Sequence, residues 1–152
     1  GESASTAELD IKATAYIPEN YIESPAGRMD CYKQIAEIRM VADYKRVCLS
    51  IEENYGPMPN EVLNLLIIAV MKAYASRLQV SKIGVSSKAA YLEFSALSAL
   101  GDKKLRAAMD EYAQGIQVSM TSSPKINFMP RANPAKTMLE MTKFLKFAVS
   151  FT

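Results

Sequence analysis

The sequence predicts an α+β fold: a small sheet built from an N-terminal strand and two hairpins, packed with about five helices. Three observations carry this reading. Apolar residues recur at helical spacing over 28–54 and again over 59–78. The period switches to 2 over 82–94 and over 116–129. The resulting order of strand, helices, hairpin, helix, hairpin, helix has no regular βαβ alternation and no fixed-period repeat.

Taken in order, residues 1–8 read as a disordered leader or tag remnant, and 9–152 as one domain. Leu9, Ile11, Ala13 and Ala15 alternate with Asp10, Lys12 and Thr14, the pattern of a half-buried strand. Pro18 ends it, and a turn-rich connector with Tyr16 and Tyr21 follows. Ser24-Pro25 suits an N-cap followed by proline in the first helical turn. Met29, Tyr32, Ile35, Ile38, Val41, Tyr44, Val47 and Ile51 then mark one long helix, or two with a junction not visible in the pattern. Gly56-Pro57-Met58-Pro59 stops it, with Pro59 in the first turn of the next helix. Residues 59–78 are apolar on most sides, which places that helix centrally.

Residues 82–86 and 90–94 read as strands of a hairpin across Ser87-Lys88. Residues 98–113 read as a helix ended by Gly115. Residues 116–120 and 125–129 form the second hairpin, turned by Thr121-Ser122-Ser123-Pro124. Asn133-Pro134 opens a last helix that runs to about Ser150, with Met138, Leu139, Met141, Leu145 and Ala148 inward.

Composition narrows the chemistry. The 152 residues are 49% hydrophobic and 22% charged, about one ordinary domain. There is no histidine and no tryptophan, so neither a Ser-His-Asp nor a Cys-His arrangement is possible. Two cysteines, Cys31 and Cys48, are too few for a disulfide framework or a Cys₄ zinc site. On one straight helix they would stand roughly 25 Å apart, which favours free thiols in a reducing compartment. The longest apolar run, 65–71, is too short to span a membrane. The polar start, without Met, reads as a cleavage scar on a piece of something larger.

Residues 1–60 carry six Lys/Arg against ten Asp/Glu, and 61–152 carry twelve against six. A basic half can attract nucleic acid, but these charges are scattered rather than clustered. Ser122-x-x-Lys125 matches the nucleophile motif of penicillin-binding enzymes. It falls between two strands and lacks its partner motifs. No phosphate-cradling glycine loop occurs. No catalytic, cofactor-binding or metal-binding residue is therefore assigned. Glu52-Glu53, just before a turn at a helix C-terminus, opposes the helix dipole at a small cost. The pair reads as solvated surface or as a charged contact for a basic partner.

Several blocks together are more specific. Ala15-Tyr16-Ile17-Pro18-Glu19-Asn20-Tyr21-Ile22, Arg28-Met29-x-x-Tyr32-Lys33-x-Ile35-Ala36, Tyr55-Gly56-Pro57-Met58-Pro59-x-Glu61-Val62-x-Asn64-Leu65-Leu66, Leu78-x-Val80-x-Lys82-Ile83 and Leu92-Glu93-Phe94 follow in order. In sequence and spacing they resemble the C-terminal domain of the bacterial transcription-repair coupling factors, the Mfd family, closely over about 9–95. Two departures stand out. That family has a polar break where Ile38-Arg39-Met40-Val41 shows none, and a glycine where Gln79 stands.

The resemblance implies a regulatory role without chemistry of its own. The parent would be a cytoplasmic ATP-driven DNA translocase that removes stalled RNA polymerase and recruits UvrA. This domain would dock on the parent's UvrB-like N-terminal module, mask the UvrA-binding surface and restrain the motor. The family's contact uses acidic residues at the end of the helix before the turn. Glu53 matches one such position, Ser50 stands uncharged at a second, and Glu52 is the available substitute. The implied partners are thus the UvrB-like module directly, and UvrA and RNA polymerase indirectly. No membrane or direct nucleic-acid contact is expected. The alternative is a DNA-contacting accessory domain with Lys103, Lys104, Arg106, Lys125 and Arg131 on phosphates.

Overall fold

The computed structural model describes residues 7–150. It contains five α-helices and one five-stranded sheet among the described residues, as the α+β reading requires. Strand β1 (Glu8–Ile11) pairs parallel with β2 (Val80–Val85), which forms an antiparallel hairpin with β3 (Ala90–Phe94). The second hairpin, β4 (Ile116–Ser119) and β5 (Lys125–Phe128), joins through β5, giving the order β1-β2-β3-β5-β4. Both predicted hairpins thus form and lie side by side. The first strand is shorter than its alternation predicts. It also begins before residue 9: Ala7 is buried and Glu8 is already paired with Lys82, so the disordered leader does not extend to them. Residues 1–6 of that leader lie outside the described residues.

The period-2 pattern separates two sheet faces. Ile83, Val85, Leu92, Phe94 and Ile126 are buried toward the helices, whereas Lys82, Tyr91, Glu93, Lys125 and Asn127 are half-exposed. The helical layer is centred on α3 (Asn60–Ala75) and α5 (Pro134–Val149), which pack on each other. Helix α4 (Lys103–Glu111) lies against α5. Helices α1 (Pro25–Ala36) and α2 (Val41–Tyr55) cover α3.

The caps legible in sequence are in place. Ser24 accepts the Gly27 N–H at 3.1 Å and Asn133 accepts the Ala135 N–H at 3.0 Å, each ahead of a proline in the first turn. Pro59 is a correction: it caps α3 from an extended conformation and the helix proper starts at Asn60. The helix predicted over 98–113 is two pieces, a 3₁₀ turn (Leu97–Gly101) and α4, separated by Asp102. That carboxylate accepts the Lys104 N–H at 2.8 Å and so starts a new helix.

The segment 28–54 is two helices. Residues 37–40 form the break, although Ile38-Arg39-Met40 has none of the usual helix-breaking residues. Ile38 is buried there, the Arg39 carbonyl accepts from the Arg77 guanidinium at 2.8 Å, and Val41 donates its N–H to the Tyr74 hydroxyl at 2.8 Å. Tertiary partners on α3 and just beyond it hold the chain in a turn that the local sequence does not specify. The bend also alters which residues face in. Met29, 61% exposed, and Tyr32 leave the predicted apolar stripe. Tyr32 instead accepts the Ile17 N–H at 2.9 Å and pins the connector after β1. Leu139, predicted inward on α5, is also partly exposed.

Candidate functional site

Helix α2 buries Val47 and Ile51 and keeps Tyr44 and Cys48 half-covered. At 100° per residue, the opposite face carries Ala42, Lys45, Arg46, Leu49, Glu52 and Glu53, every one exposed. Leu49 lies at its centre with 63% of its surface open. Ser50 lies on the flank, half-buried, and its carbonyl accepts from the Asn54 amide at 2.8 Å. Of the three sequence-predicted contact residues, Glu53 therefore shares the exposed face with Leu49 one turn away. Glu52 borders that face on the side toward Tyr21 and Cys48, whose pKa values its charge helps to raise. Ser50 is peripheral.

Neither Glu52 nor Glu53 has an ion-pair partner among the described residues. Their order along the helix is also unfavourable to the helix itself. Two bases, Lys45 and Arg46, stand in the N-terminal half, and two acids in the last turn, opposite to what the macrodipole favours. Arg46 is engaged with Asp43 at 3.1 Å. The C-terminal half of the face is left as an apolar residue beside two unpaired acids. Leu49 was missed by the reading for buried periodicity, because it lies out of phase with Val47 and Ile51. That mismatch was itself the signal available in the sequence.

The end of α2 is rigidly held. Gly56 ends it with φ of +85°, and the Tyr21 hydroxyl donates to the Gly56 carbonyl at 2.6 Å. Tyr21 also stacks at a tilt on Tyr55, with ring centroids 6.1 Å apart. The connector after β1 and the turn before α3 thus clamp the acidic end in one position.

The basic residues of the alternative reading are dispersed. Lys103, Lys104 and Arg106 are on α4, Lys125 is on β5 and Arg131 follows β5. Lys125 sits 3.9 Å from Glu93 and over the Tyr91 ring, and Arg131 pairs with Glu140 at 3.0 Å. Two of the five charges are thereby already answered within the chain. The Ser122-x-x-Lys125 match lies in the β4–β5 hairpin turn, not on a helix.

The groups whose acidity the fold shifts move away from neutrality. Burial pushes the Tyr21, Cys31, Cys48 and Tyr44 groups up, Tyr44 to about 12. Tyr91 and Glu8 raise Lys82, and the Arg39 N–H lowers Asp43. None of these shifts brings a proton donor or acceptor nearer to pH 7. Among the described residues no cluster of metal-binding side chains occurs, and every buried side-chain nitrogen or oxygen has a partner. No helix among them is long and apolar enough to cross a membrane.

Comparison with known proteins gives concordant results. Residues 11–105 match the family model for the TRCF domain. The transcription-repair-coupling factor of Bacillus subtilis is 29% identical over 157 aligned positions, covering 96% of this chain and 13% of that protein. The one from Borreliella burgdorferi is 28% identical over 105, covering 68% of this chain and 9% of that protein. The crystal structure of a C-terminal domain of transcription-repair coupling factor superposes with a TM-score of 0.75 at 17% identity. The match covers 95% of this chain and 92% of that one, and so shows the shared fold. The chain spans only about a tenth of the length of the curated relatives it matches.

Proposed function

The chain belongs to the TRCF domain family, and from that premise we propose that it is a regulatory, autoinhibitory domain. In this reading it docks on the UvrB-like N-terminal module of its parent through the C-terminal half of the exposed α2 face. The parent is a cytoplasmic ATP-dependent DNA translocase that displaces stalled RNA polymerase and recruits UvrA. The docked domain covers the UvrA-binding surface of that module.

The observation that carries the reading is the arrangement of Leu49, Glu52 and Glu53. An exposed leucine followed one turn on by two acids that have no ion-pair partner among the described residues, in an order that costs the helix stability, serves a contact better than it serves the fold. An autoinhibitory domain needs a stable body and a releasable contact. Exposed ion pairs contribute only about 0–1 kcal/mol each, and burial of one leucine adds roughly 1.5–3 kcal/mol. Such a patch is weak between free molecules. Tethering raises the effective concentration to about the millimolar range, which suffices to keep it closed until something opens it.

The masking step is tested by measuring UvrA binding to the separately produced UvrB-like module with and without a saturating amount of this domain. Reduced UvrA occupancy is expected. Undiminished UvrA binding while the domain remains bound would contradict masking.

A further inference from the structure

Helix α3 is apolar on more sides than the chain covers. Val62, Leu66, Ile67, Val70 and Met71 are buried. On a further side Leu65, Ile68, Ala69 and Ala73 are only half-buried and form the floor of an open groove of about 480 Å³. Ile35 and Ala36 of α1 wall one side, and Leu9 of the edge strand β1 also lines it. The sequence placed this helix centrally because of its all-round apolarity. The structure leaves one stripe of it packed against the core on one side and open on the other.

The groove's charge is one-sided. None of its lining residues is acidic; the charged ones are Arg39 and Lys72. Neither forms an ion pair among the described residues. The Asp43 carboxylate is taken up by the Arg39 backbone N–H and by Arg46.

The shape is equally specific. The stripe Leu65, Ile68, Ala69, Lys72, Ala73, Ser76 follows i, i+3, i+4, i+7, i+8, i+11, so it is one straight face. Its length is about 16 Å, or three turns. Ala36, Ala69 and Ala73 are small enough to admit a close helix backbone. A groove of this length, apolar on the floor and cationic at the rim, fits a helix with an apolar stripe and acidic flanks.

We propose that the α1–α3 groove docks an acidic amphipathic helix of a partner protein. It shares no lining residue with the Leu49–Glu53 surface. The domain therefore has two docking faces of opposite charge, and the second inference does not depend on the first.

The probe is a synthetic amphipathic helix of about 16 residues, with leucines at i, i+3, i+4 and i+7 and glutamates on the flanks. A matched peptide carries lysines in place of the glutamates. Both are titrated into the isotopically labelled 152-residue chain and followed by amide chemical shifts. Saturable binding of the acidic peptide is expected, with shifts at Ala36, Ile68, Ala69 and Ala73. The lysine peptide and the Arg39→Glu variant should each bind about tenfold more weakly. Arg39 is exposed, so the variant should keep its amide dispersion. Absence of saturable binding, shifts confined to other surfaces, or equal affinity for the lysine peptide would overturn the proposal. So would concentration-dependent dimerisation that broadens the groove resonances, because the occupant would then be a second copy.

Discussion

The Asp43 carboxylate accepts the backbone N–H of Arg39, four residues upstream, at 2.9 Å. Asp43 is the third residue of α2, so the bond reaches back past the N-cap position, Met40, whose side chain makes no capping hydrogen bond. The same carboxylate takes a 3.1 Å contact from Arg46 one turn on. This single side chain ties the first turns of α2 to the segment just before the helix.

The Arg39 N–H is also the main reason the Asp43 carboxyl is held below its ordinary pKa, with Arg46 adding to it and partial burial opposing. A lowered native pKa means that the stabilisation is complete above the unfolded value of about 3.9 and is lost as pH falls through the native one. Asp43→Ala should therefore lower the melting temperature at pH 7. The gap to the parent chain should narrow steadily below about pH 4. A gap of equal size at pH 7 and pH 2.5 would show that the carboxylate's charge is not what matters.

Gly56→Ala isolates the turn behind the acidic end. The position has φ of +85° and ψ of −172°, and a Cβ there would meet nothing within 4 Å. The whole cost is conformational, about 1–3 kcal/mol. Denaturant unfolding should show this loss with an unchanged m-value. A loss under about 0.5 kcal/mol would mean the turn relaxes freely.

On the open sheet face, the Tyr91 ring lies over Gly84, and Lys125 Nζ stands 4.4 Å from its centroid. A Cβ at Gly84 would overlap the ring and push it away from the lysine. Gly84→Ala should cost about 1 kcal/mol, in line with one displaced cation–π contact and its packing. In a Tyr91→Ala background the same change should be nearly neutral. Additive losses would show that the glycine is needed for another reason.

Burial raises the pKa of both free thiols, and at Cys48 the nearby Glu52 adds to it. At pH 8, iodoacetamide should modify Cys31 and Cys48 markedly more slowly than glutathione, and unfolding in urea should abolish the difference. Modification of Cys48 at the rate of a free thiol would contradict its half-covered position beside Tyr44.

Most of the fold was legible because its signals are local. Ser24-Pro25 and Asn133-Pro134 carry their caps within three residues, and both hairpins show their alternation without help from the rest of the chain. The α1–α2 break was not legible because it is made from a distance, by Arg77 and Tyr74 and by an aspartate on the far side of the junction. Asp102 was read as part of a helix because an acid one turn inside a helix and an acid at an N-cap look alike in sequence. At the candidate site, Glu52 and Glu53 were visible as a charge pair. Leu49 was not singled out, because a leucine on a helical segment is ordinarily counted toward the core; its being out of phase with Val47 and Ile51 was the sign that it faces outward, as its exposure shows.

The central claim is best tested by calorimetric titration of the 152-residue chain into the parent's UvrB-like N-terminal module at low and moderate salt. Micromolar affinity that weakens with salt is expected, with Glu53→Lys and Leu49→Ala each weakening it about tenfold while leaving the melting temperature within about 2 °C of the parent. Wild-type affinity for both variants at both salts would contradict the assignment of the α2 face as the docking surface.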